Sequence, residues 1–413
     1  MKSMTLPSRW PDTFASFQYP NYRKWFAGQS LSLMGTWMQS VAQGWVVYEL
    51  TGSKLALGTI TFAGSIPTLF LLLPAGALAD RMSKRRLLVI TQIAMMLLAF
   101  ALALLTATKL LQVWQVAVVA FCLGIANSFD APARQALVVD LVEDRHNLQN
   151  AIALNSTMFY LARVVGPAVG GLILAAVGAA WCFGLNGLSF LAVIIALLSL
   201  RLNDAARQPH SVRMMPQIAA GLRYVWGNKA VRAIMAMIGV STLFGFSYSV
   251  LMPAFAVDVL QVGEAGLGML NAAIGVGALI AALTVASLSH SRYKVWQLAA
   301  GSLLFPLALI GFALSRSFPV SLAFLVLVGF AFISQNATSN ALVQSIVPDE
   351  LRGRVMSVYS LLFFGTMPFG SLLAGGIAQA FSPTLAVVTG AVVTLAFTLF
   401  VFIAVPSVRR LEV

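Results

Sequence analysis

The chain has 413 residues, of which 59% are hydrophobic and only 9% charged, against roughly 25% charged in an average soluble domain. So little charge cannot cover a water-facing surface of this size, which excludes a soluble globular protein and places the chain in lipid. The net charge of +13 would suggest nucleic acid in a soluble protein, but its placement along the chain points elsewhere.

Residues before Asn21 are polar and interrupted by proline, with no apolar core ahead of a small-residue cleavage site, so no cleaved signal peptide is expected. A hydrocarbon core of roughly 30 Å needs about 20 apolar residues per helix. On that measure the chain offers spans near 24–48, 55–79, 87–108, 112–134, 149–177 and 180–200. After the longest polar stretch, 201–230, come spans near 231–257, 266–289, 295–315, 319–343, 355–381 and 384–405. Within 201–230, Pro216 can open a helix, and Ile218, Leu222 and Val225 recur on one face beside Arg223 and Lys229. That pattern predicts an amphipathic helix on the inner leaflet. The expected organisation is an N-terminal six-helix bundle over 1–200, a cytoplasmic linker over 201–230 and a C-terminal six-helix bundle over 231–413.

The charges fix an orientation for these spans. With the N-terminus in the cytoplasm, 22 of the 26 basic residues fall in inner segments. The outer loops keep only Lys54, Lys109 and Arg316, and Arg163 lies inside a span. This is the positive-inside bias, and it predicts a multi-pass protein of a bacterial inner membrane with both termini cytoplasmic. Cys122 and Cys182 lie in apolar runs with no metal or disulfide spacing.

The two halves share a trace of sequence. Segment 136–144 (ALVVDLVED) aligns without gaps on segment 341–349 (ALVQSIVPD), an offset of 205 residues. At the same offset Gly170-Gly171 falls on Gly375-Gly376. A match at one offset across equivalent connections predicts a parallel repeat, two bundles related by an axis along the membrane normal.

Between spans two and three stands Gly76-Ala-Leu-Ala-Asp80-Arg81-Met-Ser-Lys84-Arg85-Arg86. It resembles the loop signature of the major facilitator superfamily, which implies an all-α integral membrane fold of 12 helices. Gly76 would let another helix approach closely. Asp80 and Arg81, at the membrane edge, would form a charge-assisted latch that holds one state of a rocking pair. The other reading is a basic loop that only sets topology. The equivalent place in the second half keeps Arg292 and Lys294 but no acid.

In span five, Gly166-Pro167-Ala-Val-Gly170-Gly171 resembles an element associated with exporters that work as antiporters. Pro167 frees a carbonyl and permits a gating bend, and the glycines permit tight helix contact, which ordinary packing would also use. Proton-coupled drug exporters often carry an arginine four residues before a glycine in span four, where this chain has Ala120 before Gly124. The runs Asp130-Ala-Pro132-Ala-Arg134-Gln135 and Pro348-Asp-Glu-Leu-Arg352-Gly-Arg354 resemble the enterobactin-exporter branch, also described as secretion effectors.

Polar residues on membrane helices are costly and face the bundle interior. Ser32, Thr36, Gln39 and Gln43 form one stripe on span one, and Asn127, Tyr248, Asn271, Gln335 and Asn336 add polar groups on other spans. These, with Arg163, are the expected substrate pathway; for each amide, interhelical hydrogen bonding is the competing role. Arg163 lies 14 residues beyond Gln149, about 21 Å along a helix and therefore near mid-depth. With no carboxylate evident at that depth, it is either an anion site or a cap for carbonyls freed around Pro167.

The reading is a secondary exporter of a small amphiphile, siderophore-like or drug-like and anionic or zwitterionic, working by alternating access. Antiport with protons follows from the resemblance, with Asp130, Asp80 and Glu49 as candidate proton sites. No phosphate-binding loop of the form G-x-x-x-x-G-K-[ST] occurs, so this chain itself does not hydrolyse ATP. His146, His210 and His290 fall in predicted loops without facing nucleophiles or paired carboxylates, so no enzyme is expected. No cofactor, metal or nucleic acid is expected, and the partners are substrate, protons and membrane lipid around a monomer. An importer or lysolipid flippase of the same fold, and a non-transporting receptor or scaffold, are the alternatives.

Overall fold

The computed structural model describes residues 12–142, 144–200, 214–287 and 294–409, except the side chains of 12, 13, 72, 73, 77, 79–81, 145, 146 and 214–218. The expected latch side chains of Asp80 and Arg81, the linker stretch 201–213, Pro216, Ile218 and Arg292 therefore lie outside the described part.

The described residues are helical almost throughout. After a short 3₁₀ turn come α1 (Pro20–Thr51), α2 (Lys54–Arg81), α3 (Lys84–Ala107), α4 (Val113–Leu141), α5 (Arg145–Val177) and α6 (Ala179–Leu198). The sequence punctuates them with short caps. Gly52 closes α1 at φ +59°, where a side chain would be strained, and Ser53 at once opens α2 by accepting from the Ala56 amide. An amphipathic α7 (Met214–Gly227) precedes α8 (Lys229–Val240), which opens on an Asn228 cap. Then follow α9 (Met252–Ala254), α10 (Gly263–Ser287), α11 (Lys294–Leu314), α12 (Phe318–Ile346), α13 (Asp349–Ala380), α14 (Pro383–Ala404) and the short α15 (Pro406–Arg409).

Eleven segments of the described residues are long and apolar enough to cross a membrane, including Lys229–Val259, which joins α8 and α9. The twelfth helix of the bundle is α1, with 32 residues. Its composition falls short because Gln29, Ser32 and Gln39 are polar yet buried against neighbours, so lipid never meets them. The helices outrun the expected spans at many ends, since a helix continues past the hydrocarbon edge while hydropathy does not.

The two six-helix bundles are built alike. In the first, α2 meets α4 so closely that a methyl on Gly124 would lie 2.1 Å from the Gly64 carbonyl oxygen. In the second, the corresponding pair α10 and α12 meets at Gly277 and Gly329, where a methyl would lie 1.9 Å from Val326 O and 2.0 Å from Ile274 O. Small residues let backbones touch where lipid gives no hydrophobic drive for association. The α7 helix docks on the second bundle: Val225 is buried beside Val231, Val343 and Val355, while Leu222 and Trp226 are exposed.

The seams between bundles follow the same symmetry. At one seam α5 meets α10, with Gly171 facing Gly268; at the other α13 meets α2, with Gly375 facing Gly58. One glycine of each repeated pair, Gly171 in α5 and Gly375 in α13, thus lies at a seam. All four positions lie toward the end of the molecule that carries Gly52 and Lys54, opposite the basic end that carries Lys84.

Gly329→Ala should lower the melting temperature in detergent, since overpacking costs about 1–3 kcal/mol. Gly353→Ala, in α13 with no atom within 4 Å of the new methyl, should leave it unchanged or raise it. Equal melting of both variants would contradict this packing.

Candidate substrate pathway

A cavity of about 400 Å³ lies where the two bundles meet. The first bundle contributes α1 (Trp37, Gln43), α4 (Asn127) and α5 (Arg163, Pro167). The second contributes Phe246, Ser249, Pro253 and Asn271. The wall from the second bundle is irregular for a reason legible in its residues. After α8 the chain runs through a π turn (Ser241–Gly245), a 3₁₀ turn (Phe246–Leu251), α9 and a second π turn (Phe255–Val259). Pro253 cannot donate a backbone hydrogen bond and crowds the carbonyl four residues back. The helix is thereby unwound where it meets the cavity, as π-type interruptions often are at functional sites.

The cavity contains one cation. The Arg163 guanidinium lies 5.2 Å from the centroid of the Trp37 ring. Ion pairs among the described residues join Lys54 to Asp258, Lys84 to Asp140, Arg134 to Asp130 and Arg352 to Asp349; none includes Arg163. Nor does its side chain donate to carbonyls around Pro167, and α5 runs as one helix through that proline. The segment expected to bend thus stays within one unbroken helix. Gly166 and Gly170 instead press on α1, where methyls would lie 2.6 Å from the Trp37 Cβ and 3.0 Å from the Met38 Cα.

The polar residues expected along the pathway divide in two. Gln43, Asn127, Arg163 and Asn271 line the cavity, with Asn271 also donating to Leu267 O at 3.0 Å. Ser32, Thr36 and Gln39 do not line it. Gln39 Oε1 accepts from Asn186 Nδ2 at 2.6 Å, Thr36 donates to Ser32 O, and Ser32 is buried. The lower part of the stripe therefore binds α1 to its own bundle, because the helix turns that face toward α6. Tyr248 is buried behind the wall, and Gln335 donates to Ser241 at 2.9 Å inside the second bundle. Asn336 lines a different cavity.

The candidate acids Asp130 and Glu49 lie off this cavity. Asp130 is buried between α3 and α4, accepting from Gln92 at 2.8 Å and Thr91 at 3.1 Å with Arg134 Nε at 3.5 Å. Glu49 is exposed at the end of α1. A methyl on Gly76 would meet no atom within 4 Å, so that glycine is not a close helix contact here. At the basic end Lys84 bridges α3 to α4 through Asp140.

A charged joint that hydropathy could not reveal closes the Lys54 end. Asp258, from the second π turn, pairs with Lys54 at 2.8 Å and accepts from the Tyr48 hydroxyl at 2.6 Å. Gln379 Oε1 accepts from the Lys54 amide at 2.8 Å and from Ser53 Oγ at 3.2 Å. The signal was present in the sequence, since charges are rare there: Lys54 and Asp258 are opposite charges in segments that hold few others.

A family model described as transmembrane secretion effector matches residues 11–412, nearly the whole chain. The chain belongs to that family. Its fold is that of the major facilitator superfamily. The chain is 29% identical to the multidrug efflux pump Tap of Mycolicibacterium fortuitum, over 84% of this chain and 86% of that protein. It is 26% identical to the staphyloferrin A transporter of Staphylococcus aureus, covering 86% and 89%. With the enterobactin exporter EntS of Shigella boydii the identity is 27%, covering 88% and 87%. Among solved structures, a POT family transporter in complex with 5-aminolevulinic acid superposes with a TM-score of 0.75 at 12% identity, covering 94% and 96%. The nucleoside transporter NupG gives 0.73 at 13% identity, covering 93% and 98%. Family members and structural neighbours are membrane transporters, so this chain is a multi-pass bacterial membrane transporter and not an enzyme.

The joint at the Lys54 end makes a prediction. A short thiol-to-thiol cross-linker between Ser53→Cys and Gln379→Cys should react readily in the otherwise native protein. Adding Asp258→Asn should cut that yield several-fold. Because the pair is partly exposed, a double-mutant cycle with Lys54→Gln should give a coupling of about 0.5–1 kcal/mol. Unchanged cross-linking would mean that the joint does not hold this end shut.

Proposed function

We propose that this transporter exports an anionic or zwitterionic amphiphile by alternating access. The observation that carries the reading is Arg163, a cation in the inter-bundle cavity stacked on Trp37 and free of any ion pair. A guanidinium in low dielectric without a carboxylate partner repels cations and offers an acidic group a fork of donors. Its preference differs from that of a neutral apolar cavity, which would take any lipophile. The relatives include a pump of multiple drugs and two siderophore transporters by name, and a siderophore-like or drug-like acid satisfies both chemistries.

In this proposal the moving units are the bundles 1–200 and 231–413, with 201–230 as a cytoplasmic tether. The basic end faces the cytoplasm, with both termini there and the protein in the inner membrane as a monomer. The Lys54 end is then the outer end, and the present state is closed outward. Rocking would part the α5–α10 and α2–α13 seams, break the Lys54–Asp258 pair and let the substrate leave. The Gly166-Pro167 segment supplies a weak point for bending during that step, and the Asp80–Arg81 latch would hold the basic end in the opposite state. Proton exchange drives the cycle; Asp130, Asp80 and Glu49 carry protons in this scheme, and Asp258 joins them as the acid set directly between the bundles.

Two measurements test this. In everted vesicles energised by a proton gradient, Arg163→Gln should reduce uptake of acidic substrates at least tenfold, a loss of about 1.4 kcal/mol or more, and leave neutral ones within about twofold. Equal loss for all substrates would return Arg163 to a structural role, and uptake indifferent to nigericin would remove the proton from the scheme. For orientation, Ser53→Cys should react with an impermeant thiol reagent on intact cells and Gln208→Cys should not, in a background lacking Cys122 and Cys182. Labelling at Gln208 would invert the topology.

A further inference from the structure

A second cavity, of about 420 Å³, has a chemistry unlike the first. One wall is Tyr160 from α5 in the first bundle. The other walls are Asn336 and Asn340 from α12 and Tyr359, Phe363 and Phe364 from α13. None of its lining residues is charged. Aromatic faces and amides dominate it.

The polar groups are already arranged. The Tyr359 hydroxyl donates to both the backbone and side-chain oxygens of Asn336, each at 3.2 Å. Asn340 accepts from Gln344 at 2.6 Å through Oδ1, which leaves the amino group of Asn340 as a donor at the cavity wall. Phe363 and Phe364 meet edge to face at 5.1 Å, and Phe364 stays 44% exposed, so its ring is not consumed by packing.

The two cavities are lined by neighbouring residues of the same helices, α5 and α13. On the first bundle, Tyr160 lines the second cavity and Arg163 the first. Three residues apart on α5, they stand on one helix face about 4.5 Å apart along its axis. On the second bundle an aromatic run links them: Phe363 lies 6.3 Å from Phe332, which stacks on Phe246 at 4.7 Å, and Phe246 lines the first cavity. A ligand with an acidic group at Arg163 and a short spacer would place its other end among these rings.

We propose that this second cavity is an aryl subsite, and that the substrate class is aromatic acids in which a neutral, hydrogen-bonding arene sits about one helical turn from the anion. The proposal rests on the export reading for the acidic end alone; the arene end stands on the second cavity. Rings gain from offset and edge contacts beyond their buried area, and amides at the wall orient substituents on the ring. Aliphatic acids of equal bulk lose the first gain and cannot use the second.

The test uses purified full-length protein and two probes, N-(2-naphthoyl)glycine and N-octanoylglycine, whose acidic ends are identical. Binding is read by equilibrium dialysis. Wild type should bind the naphthoyl probe about five- to tenfold more tightly. Tyr160→Leu and Phe364→Leu keep apolar bulk but remove a ring, and each should erase most of that preference while leaving octanoylglycine unchanged. Arg163→Gln should weaken both probes by a similar factor. A wild type that binds both probes alike, or leucine variants that retain the aryl preference, would overturn the subsite. If the leucine variants lose the preference while Arg163→Gln changes neither probe, the aryl subsite stands and the anion reading of the first cavity fails. Unaltered melting of the leucine variants keeps a folding defect from imitating the result.

Discussion

Inside a bilayer there is no water to answer a polar group, so each one must find its partner in the protein or face a cavity. Much of this transporter follows from that rule, with buried hydroxyls of Thr242, Ser302, Thr338 and Ser339 as exceptions among the described residues. Gln39 finds Asn186, Gln335 finds Ser241, and Asp130 finds Gln92, Thr91 and Arg134. Hydroxyls such as Thr36, Ser128 and Thr394 return to the carbonyl one turn back. Arg163 stands apart, with a ring beside it and no ion pair, and it lies on the cavity. In the proposed function, that unpaired group is where a substrate would complete the set.

The same rule explains what the sequence made legible. Apolar runs of the right length locate helices because only helices satisfy their own backbone in lipid. The repeat was visible because a glycine pair and a connecting segment kept one offset; in the structure one glycine of each pair, Gly171 and Gly375, lies at a seam. Rise per residue alone predicted mid-depth for Arg163, and the structure sets its side chain on a cavity between the bundles.

What stayed illegible depends on which way a helix is rotated. The stripe Ser32, Thr36, Gln39 and Gln43 is a stripe in the sequence, yet α1 also touches α5 and α6, and only its far end reaches the cavity. No pattern of spacing tells which neighbour a stripe faces. The unwound segment after α8 was hidden for a related reason: its apolar run continues through Pro253, so hydropathy sees one span where the backbone changes pitch four times. The Lys54–Asp258 joint and the second cavity bring together residues about 200 positions apart, which composition and periodicity cannot pair.

The glycine seams carry a further implication for how cargo reaches the interior. Where Gly171 faces Gly268 and Gly375 faces Gly58, a single methyl would already collide with backbone. A crevice too narrow for a methyl is also too narrow for an acyl chain. At that end of the molecule, lipid tails cannot slip sideways between the bundles, and a membrane-dissolved compound has no lateral doorway through either seam. Leakage of the bilayer into the transport route is thus barred by backbone contact alone, on both flanks at once, without any side chain having to act as a plug.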